Sequence, residues 1–434
     1  MRVAVTGGSG QLGGLVLRRL ADERSITGIV AIDLRPPLVA SSKIEALRLD
    51  IRDKDLAHRL RGCDVLVHLA FLVAKRGKRE EQDSVNVGGS ENVFRQAIAA
   101  GIRRVLYASS VAQYGVVPTL PTPVIEETLR TRQPDFWYAC AKHDVERRLD
   151  ELERAHPDLR VVRFRPAILI GRRMENLLGQ LLRKGLMPDS GSLPIVWDED
   201  VADAFILALR TGARGAYNLS ADDQQQPREL ARVAGLRVPK ISVGVVRAAE
   251  KLLTRLRLIK PGDPGWTMPV KMRLVYSSEK AKRELGWRPK YPTARDVMKH
   301  FVEVAPRTLD KRLSALTRMI NLSEPVPGRG LESAVHLELT GPNGGDLTLR
   351  AQGGKLHISR GAPRPADATV TLKADTLLDL LAGKLDYAGA QLDGRVQLEG
   401  QGHGGLLLGG VIEGFRAAAR QRGAARRLAR KMGR

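Results

Sequence analysis

Cysteine and aromatic residues are scarce in this sequence. Its 434 residues include two cysteines, Cys63 and Cys140, and aromatic side chains make up 4% of the chain. Two cysteines cannot form the disulfide framework of a small secreted domain, and their spacing matches no metal site, so we expect a cytoplasmic location and no bound metal. The scarcity of aromatic rings argues against a base-stacking surface and therefore against a specific nucleic-acid partner.

Long hydrophobic runs are absent as well. The most apolar stretches, 252–259 and 406–412, are much shorter than the ~20 apolar residues that cross a bilayer. The apolar residues that begin at Val3 lead directly into a glycine loop, which leaves no room for a signal peptide. We therefore expect neither a membrane-spanning segment nor a leader.

Acidic residues are missing from the end of the chain. The formal net charge is +23, and the stretch from Arg416 to Arg434 supplies eight positive charges and no negative one. Such a stretch is typical either of attraction to anionic lipid headgroups or nucleic acid, or of an ordinary solvated terminus. Both interpretations stay open, and the first would bring the protein to the surface of a membrane.

From its start to about residue 165, the sequence alternates short β-branched runs with helical stretches. This order is typical of a Rossmann-type, doubly wound parallel sheet. The less regular region 166–305 predicts a small substrate subdomain, with helices at Asp200–Arg210 and Val245–Ile259. The predicted strands are Val3–Thr6, Ile29–Asp33, Val65–Leu69, Val105–Ser109 and Val161–Arg165.

The pattern changes after residue 305. A helix at Leu309–Ile320 and a segment rich in proline and glycine predict a linker over 306–330. Between 331 and 411, apolar residues recur at every second position, which predicts a largely antiparallel sheet, interrupted by one leucine-rich helix at Asp375–Leu381. The fold prediction is therefore an α/β domain over 1–305, a separate small α+β domain and a basic tail at 412–434.

A glycine-rich loop follows the first predicted strand and precedes a predicted helix at Gly14–Ala21. This context lets a dinucleotide pyrophosphate approach the N-terminus of the helix. Asp33 ends the second strand, where a carboxylate can accept both ribose hydroxyls and repel a 2′-phosphate, so NAD is the predicted cofactor. Arg35 leaves NADP as the less favoured alternative. The loop residues predicted to bind the cofactor are Gly7, Gly10, Gln11, Leu12 and Gly13.

Tyr138 and Lys142 form a candidate catalytic pair. They lie four residues apart on a predicted helix, Tyr138–Leu149, so the phenol and the ammonium group share one face. A phenol near a cation can act as an acid or a base close to neutral pH. Ser109 and Ser110 follow the strand at Val105, at the sheet edge where such folds bind ligands, and a hydroxyl there can hold a substrate oxygen.

Over about residues 2–292, these motifs resemble the extended short-chain dehydrogenase/reductases, the NAD-dependent epimerase/dehydratase family. Three further runs strengthen the resemblance: NVGGSEN at 86–92, SVAQYG at 110–115 and LGWRP at 285–289. The resemblance also implies a homodimer through helices at Ser90–Ala100 and Tyr138–Leu149.

The resemblance implies a role for each candidate site residue. Tyr138 would be the acid/base, and Lys142 would contact the nicotinamide ribose and lower the pKa of the tyrosine. Ser110 would hold the substrate oxygen, since it has the family's offset to Gly115, whereas Ser109 does not. His68 is interpreted as a structural histidine near the cofactor. The further cofactor contacts that the resemblance implies are Asp50, Ile51, Leu69, Ala70 and Pro166.

Two departures from the family pattern narrow the expected reaction. Dehydratases of this family carry an Asp-Glu pair after the catalytic hydroxyl residue, but Val111 and Ala112 stand there and cannot transfer protons, so dehydration is not expected. The segment AILIG at 167–171 also differs from its counterpart in sugar-nucleotide enzymes. The substrate therefore need not be a nucleotide sugar.

The second module resembles a sterol carrier protein lipid-transfer domain. The quoted likeness lies within 361–400 and extends over about 331–411. It implies that the domain binds a sterol or an acyl chain, and a packed core without a ligand is the alternative.

Together, the modules predict an NAD-dependent oxidoreductase that interconverts a secondary alcohol and a ketone on a hydrophobic, sterol- or lipid-like substrate. Two alternatives stay open: an NAD-dependent nucleotide-sugar epimerase with an accessory domain, and a non-catalytic, NAD-responsive lipid carrier.

Overall fold

The computed structural model divides into two compact units, Met1–Lys299 and His300–Arg434. Each unit has a sheet and a hydrophobic core of its own. The structure describes residues 1–37, 39, 41–73, 78–172, 174, 178–179, 182, 187, 193–223, 226–238, 274–304, 333–341, 344–352, 355–361, 366–400 and 403–421.

A seven-stranded sheet forms the centre of the first unit. Its strands are β1 (Arg2–Thr6), β2 (Gly28–Asp33), β3 (Ile44–Arg48), β4 (Val65–His68), β5 (Arg104–Ala108), β6 (Arg160–Pro166) and β9 (Gly215–Leu219). They lie in the order β3-β2-β1-β4-β5-β6-β9, and every neighbouring pair is parallel. The order reverses between β1 and β4, which is where open parallel sheets bind ligands. A separate parallel pair joins β7 (Ile168–Ile170) to β8 (Ile195–Trp197).

Helices lie between these strands and after the last of them. They are α1 (Gln11–Asp22), α2 (Leu56–Leu60), α3 (Arg79–Asp83), α4 (Ser90–Ala99), α5 (Trp137–Ala155), α6 (Asp198–Thr211), α7 (Pro227–Val233), α8 (Glu279–Leu285) and α9 (Ala294–Val304). A π-helical turn at Ser84–Gly89 precedes α4, and a 3₁₀ turn at Val111–Tyr114 follows β5.

Side chains of β1 show that both faces of the sheet are covered. Val3 and Val5 lie in one core with Leu17 of α1, while Ala4, between them, lies in a second core with Phe94 of α4. Successive side chains of a strand point to opposite faces, and strands buried on both faces read as continuous apolar runs. The sheet therefore confirms the predicted doubly wound fold.

Several predicted boundaries of the first unit need correction; helix α5, for example, ends at Ala155 instead of Leu149. Helix α1 begins at Gln11 instead of Gly14, because Gly10 caps it in an extended conformation. Helix α6 begins at Asp198 instead of Asp200, directly after the short strand β8. Strand β5 ends at Ala108, so Ser109 lies beyond it. At the start of α1 and α6 the helix begins earlier than predicted, and at the end of β5 the strand ends earlier, in each case at or just after the carboxyl end of a parallel strand.

The second unit has a five-stranded sheet. Its strands, β10 (Ser333–Thr340), β11 (Gly345–Gln352), β12 (Lys355–Arg360), β13 (Ala368–Lys373) and β14 (Val396–Gly400), lie in the order β12-β11-β10-β13-β14. β10 and β13 are parallel and the other pairs are antiparallel, which agrees with the predicted, largely antiparallel sheet. Leu377 and Leu380 of the leucine-rich helix α10 (Ala374–Leu381) pack in a core with Leu337 and Val370.

Two further helices of this unit, α11 (Tyr387–Leu392) and α12 (His403–Gln421), correct the prediction of a single helix. Leu408 of α12 is buried in the same core, so α12 belongs to the packed unit. The predicted basic tail at 412–434 therefore begins inside a helix.

Three predicted elements lie outside the described residues: the helix Val245–Ile259, the helix Leu309–Ile320 and the linker that follows it. Among the residues that are described, no helix is both long and apolar enough to cross a membrane.

Candidate active site and cofactor site

The predicted site residues gather at one edge of the first sheet. Because its strands are all parallel, their carboxyl ends share this edge. The glycine loop follows β1, Asp33 ends β2, Pro166 ends β6, and Ser110 follows β5. The predicted residues placed at or just beyond these strand ends are Gly7, Gly10, Gly13, Asp33, Asp50, Ile51, Leu69, Ala70, Ser110 and Pro166.

The loop between β1 and α1 is a closely packed cradle, and at Gly7 and Gly13 it has room for glycine alone. Gly7 has a φ of +77°, and its N–H donates to the carbonyl of Ile32 at 2.9 Å. A Cβ on Gly7 would lie 2.4 Å from the backbone nitrogen of Ala70, and one on Gly13 would lie 2.1 Å from the Gly7 oxygen. The first N–H groups of α1 have no acceptor within the helix and attract anions. This loop fits a dinucleotide pyrophosphate.

Carboxylates at the ends of β2 and β3 suit the adenosine half of the cofactor. Asp33 accepts hydrogen bonds from the backbone N–H groups of Ser9, at 3.0 Å, and Arg35, at 3.2 Å, which tie it to the glycine loop. Asp50 follows β3 and is held by Arg52, which lowers its pKa. Ile51 is buried. The predicted contacts of the adenosine half, Asp33 on one strand and Asp50 and Ile51 after the next, are therefore all at this edge of the sheet.

We expect Gly13→Ala to weaken NAD binding. A methyl group at 2.1 Å from the Gly7 oxygen overpacks the cradle, which costs about 1–3 kcal/mol, or roughly a 5- to 150-fold rise in Kd. Gly14→Ala is the matched control, since a Cβ there meets no atom within 4 Å. Calorimetric titration with NAD compares the two variants. Equal affinities for both would show that the cradle does not hold the cofactor.

Tyr138 and Ser110 are in hydrogen-bond contact. Tyr138 is the second residue of α5, and Ser110 caps the 3₁₀ turn that follows β5. Burial raises the pKa of the Tyr138 phenol, and the hydrogen bond with the Ser110 side chain opposes that rise. The sequence predicted that Lys142 lowers this pKa; its Nζ lies 5.9 Å from the centre of the Tyr138 ring, and the effect stays a prediction.

Lys142 lies beneath the tyrosine in an aromatic pocket. Its Nζ donates to the Ala108 carbonyl at 2.6 Å and lies 3.6 Å from the centre of the Phe71 ring. Burial lowers the pKa of Lys142 to about 7, and the nearby Glu146 carboxylate opposes this shift. The amine therefore changes charge near neutral pH, as a group that assists proton transfer should.

The structure separates the two adjacent serines. The Ser109 hydroxyl donates to Oε1 of Glu146 at 2.5 Å and is buried with it, whereas Ser110 contacts Tyr138. The Ser110 hydroxyl also accepts a hydrogen bond from the Ala112 N–H at 3.2 Å, so both hydroxyls have partners, and the assignment of the substrate oxygen to Ser110 stays a prediction that rests on its contact with Tyr138.

A buried ionic network behind the pair was missed by the sequence analysis. Arg165 donates to both carboxylate oxygens of Glu146, at 3.0 and 2.6 Å, and to the hydroxyl of Tyr114 at 2.7 Å. Tyr114 in turn donates to Asn218 at 2.8 Å. Glu146 lies one helical turn after Lys142, so its position on the buried face of α5 was the available signal. The network links α5 to β6 and β9 below the catalytic residues.

His68 agrees with its structural interpretation. Its two ring nitrogens contact the hydroxyls of Thr6, at 2.7 Å, and Ser90, at 2.9 Å. Burial lowers the pKa of His68 to about 3, with a further contribution from the Lys142 charge. A neutral ring with both nitrogens occupied is a poor proton carrier near neutral pH.

Apolar side chains pack next to Ser110. Val111, directly after Ser110, belongs to a cluster with Val124, Leu274 and Tyr276. Within the described part of the chain, no group of acidic, histidine or cysteine side chains could hold a metal ion. The loops that follow β4 and β5 expose apolar side chains at Val73 (45%), Ile125 (45%) and Leu129 (82%).

Comparison with known proteins assigns the first unit. The model of the family described as NAD dependent epimerase/dehydratase family matches residues 3–220, half of the chain. The chain belongs to the NAD dependent epimerase/dehydratase family. Its first unit is therefore an oxidoreductase or epimerase domain, and the prediction of NAD as the cofactor is confirmed.

The proteins that resemble this chain carry names that indicate different activities. The protein y4nG of Sinorhizobium fredii, described as uncharacterized, is 28% identical over 310 residues, which cover 68% of this chain and 77% of y4nG. A 3 beta-hydroxysteroid dehydrogenase/Delta 5-->4-isomerase of Mycobacterium tuberculosis is 34% identical over 118 residues, 25% of this chain and 31% of that protein. The solved UDP-glucose 4-epimerase of Thermotoga maritima shares the fold, with a TM-score of 0.54 and 20% identity over 69% of this chain and 96% of its own.

The second unit has a match of its own. The model of the SCP-2 sterol transfer family matches residues 329–412. The predicted resemblance to sterol carrier proteins is thereby confirmed, and the epimerase/dehydratase domain is followed by an SCP-2 domain in one chain.

Proposed function

We propose that the protein is an NAD-dependent oxidoreductase that interconverts a secondary alcohol and a ketone on a hydrophobic, sterol- or lipid-like substrate. The observation that carries this proposal is the apolar cluster that begins at Val111, directly after the catalytic serine. Val111 and Ala112 replace the proton-transferring pair of dehydratases, and Val111 continues into the cluster with Val124 and Tyr276. A site of this kind favours an apolar ligand with few polar groups.

In this proposal each catalytic side chain has a defined task. Ser110 donates a hydrogen bond to the substrate oxygen and holds it beside the Tyr138 phenol. During oxidation Tyr138 takes the hydroxyl proton, and during reduction it returns a proton to the forming alkoxide. Lys142 would stabilise the phenolate and would bind a ribose hydroxyl of the nicotinamide half. Bound NAD supplies the carbon that accepts or returns the hydride.

The SCP-2 domain supports the hydrophobic substrate. A domain of a sterol transfer family on the same chain would bind the lipid and raise its concentration near the first domain. The relative named as a steroid dehydrogenase adds support, although its similarity is confined to 118 residues. The domain limits proposed for this arrangement are 1–305 for the enzyme and 331–411 for the lipid-binding domain.

A nucleotide-sugar epimerase is the second candidate, and the family's own description favours it. The test is a panel of steroid and long-chain secondary alcohols and ketones, alongside UDP-sugars, with the full chain and NAD or NADH. A change of nicotinamide absorbance with the lipid compounds alone supports the proposal. Thermal stabilisation by UDP-sugars, with no absorbance change from any lipid, would replace it with the epimerase.

Two associations stay predictions. A homodimer through α4 and α5 is checked by light scattering, and contact of the basic segment 412–434 with anionic membranes is checked by vesicle flotation. Deletion of residues 422–434 should abolish flotation if the charge of that segment is responsible.

A further inference from the structure

A buried carboxyl group joins the cofactor loop to the segment that follows β7. Asp198, the first residue of α6, is 4% exposed. Its Oδ2 accepts a hydrogen bond of 2.7 Å from Nε2 of Gln11, the first residue of α1. The same oxygen lies close to Gly171, where an added Cβ would be 1.8 Å from it. Asp198 has no role in the catalysis proposed for Ser110, Tyr138 and Lys142.

Gln11 begins the helix that is expected to receive the cofactor's pyrophosphate. The backbone N–H groups of this first turn lack acceptors within the helix, and the positive end of the helix dipole lies there. The side chain of Gln11, which donates to Asp198, starts from this same turn, so a pyrophosphate bound there would lie near the Asp198 carboxyl. Like charges at such a distance repel strongly where water is excluded. An ionised Asp198 therefore opposes cofactor binding.

We propose that Asp198 takes up a proton when NAD binds, so that the affinity for the cofactor depends on pH through this residue. The proposal rests on cofactor binding alone and is independent of the substrate proposed above.

Burial and the surrounding charges together set the pKa of Asp198 near neutral pH. Burial raises the pKa of this carboxyl to about 7, and the Gln11 amide, the Glu199 backbone N–H and the Arg172 cation oppose the rise. The Glu199 carboxylate adds to it, although Glu199 is paired with Arg19 of α1 at 3.1 Å. A modest change in local charge is therefore enough to change the protonation of Asp198.

The direction of the pH dependence follows from linkage. A bound pyrophosphate favours the neutral carboxyl and raises the pKa of Asp198 above its value in the free protein. Between pH 7 and the raised pKa of the complex, binding takes up a proton, so in that interval the Kd for NAD rises by up to about tenfold per pH unit. Well below pH 7, Asp198 is already protonated and the Kd is independent of its titration.

Calorimetric titration of the full chain with NAD measures this proton uptake. Titrations slightly above neutral pH, in two buffers with different ionisation enthalpies, count the protons bound per NAD. We expect net uptake in the wild type and less in Asp198→Asn, which keeps an acceptor for Gln11 but cannot ionise. Lys142, whose pKa is also about 7, is present in both proteins, so the difference reports Asp198.

A second variant keeps the test decisive if Asp198→Asn binds NAD poorly. Gln11→Met removes a donor that lowers the pKa of Asp198, so more of the carboxyl is protonated before binding. Its proton uptake at the same pH should be smaller than that of the wild type. A proton count in the wild type no larger than that in Asp198→Asn, or equal counts in all three proteins, would overturn the proposal.

Discussion

Replacing Tyr138 with phenylalanine is expected to remove turnover while NAD binding persists. The variant loses the phenol that exchanges a proton with the substrate oxygen and that contacts Ser110. General acid–base groups contribute about 10²- to 10⁴-fold to rate, so kcat should fall by that factor. The measurement pairs steady-state kinetics on a substrate found in the panel with calorimetric titration of NAD.

A matched control separates loss of chemistry from loss of a tyrosine. Tyr217→Phe removes a phenol that donates to Arg214 and Glu284 at 3.1 Å on β9, away from the catalytic serine. It should retain wild-type kcat. Wild-type turnover by Tyr138→Phe would instead show that this tyrosine is not the acid/base. Absence of turnover by the wild type itself, together with lipid and NAD binding, would leave the non-catalytic lipid carrier as the better hypothesis.

The sequence predicted the parts of the fold that depend on local pattern. Strand β1 reads as an unbroken apolar run into glycines, and Gly7 and Gly13 can be placed because no other residue fits their surroundings. Strand β3 was missed because, at the edge of the sheet, its residues are largely exposed and include Glu45. Strand β9 was missed because its short run begins at a glycine and includes Asn218.

Contacts between residues that are distant in sequence could not be predicted from local pattern. Gln11 and Asp198 are 187 residues apart, and the contact exists only because α1 and α6 pack side by side. The same holds for Arg165, whose partner Glu146 lies on a different element. Short-range spacing predicted Tyr138 and Lys142, since both lie on one helix, but it carries no information about which charges the fold brings together.

Breaking the Glu146–Arg165 pair is expected to cause the largest loss of stability. Glu146 is fully buried and Arg165 is 4% exposed, so Glu146→Gln leaves a buried guanidinium without its counter-charge. Removing one partner of a buried pair typically costs about 3–5 kcal/mol of unfolding free energy. Urea unfolding followed by tryptophan fluorescence measures this in the first unit, because all four tryptophans lie before residue 300.

The pH dependence of stability gives an independent signature of the same pair. The Arg165 and Arg163 charges and the Ser109 hydroxyl, acting against burial, hold the pKa of Glu146 at about 2, below its model-compound value of 4.5. The native state therefore binds fewer protons than the unfolded state between these values, so the stabilisation is complete above pH 4.5 and is lost as the pH falls toward 2. Glu146→Gln should lose this acid-dependent component.

An exposed pair on the same helix provides the control for Glu146. Glu151→Gln breaks solvent-exposed bridges to Arg147 and Arg148, each of which should cost under about 1 kcal/mol, and should leave kcat unchanged. Glu146→Gln should also lower kcat near neutral pH, since its carboxylate opposes the loss of charge on Lys142 and accepts the Ser109 hydroxyl beside the catalytic serine. Equal stability and equal pH profiles for the two variants would show that the buried network neither supports the fold nor positions the catalytic residues.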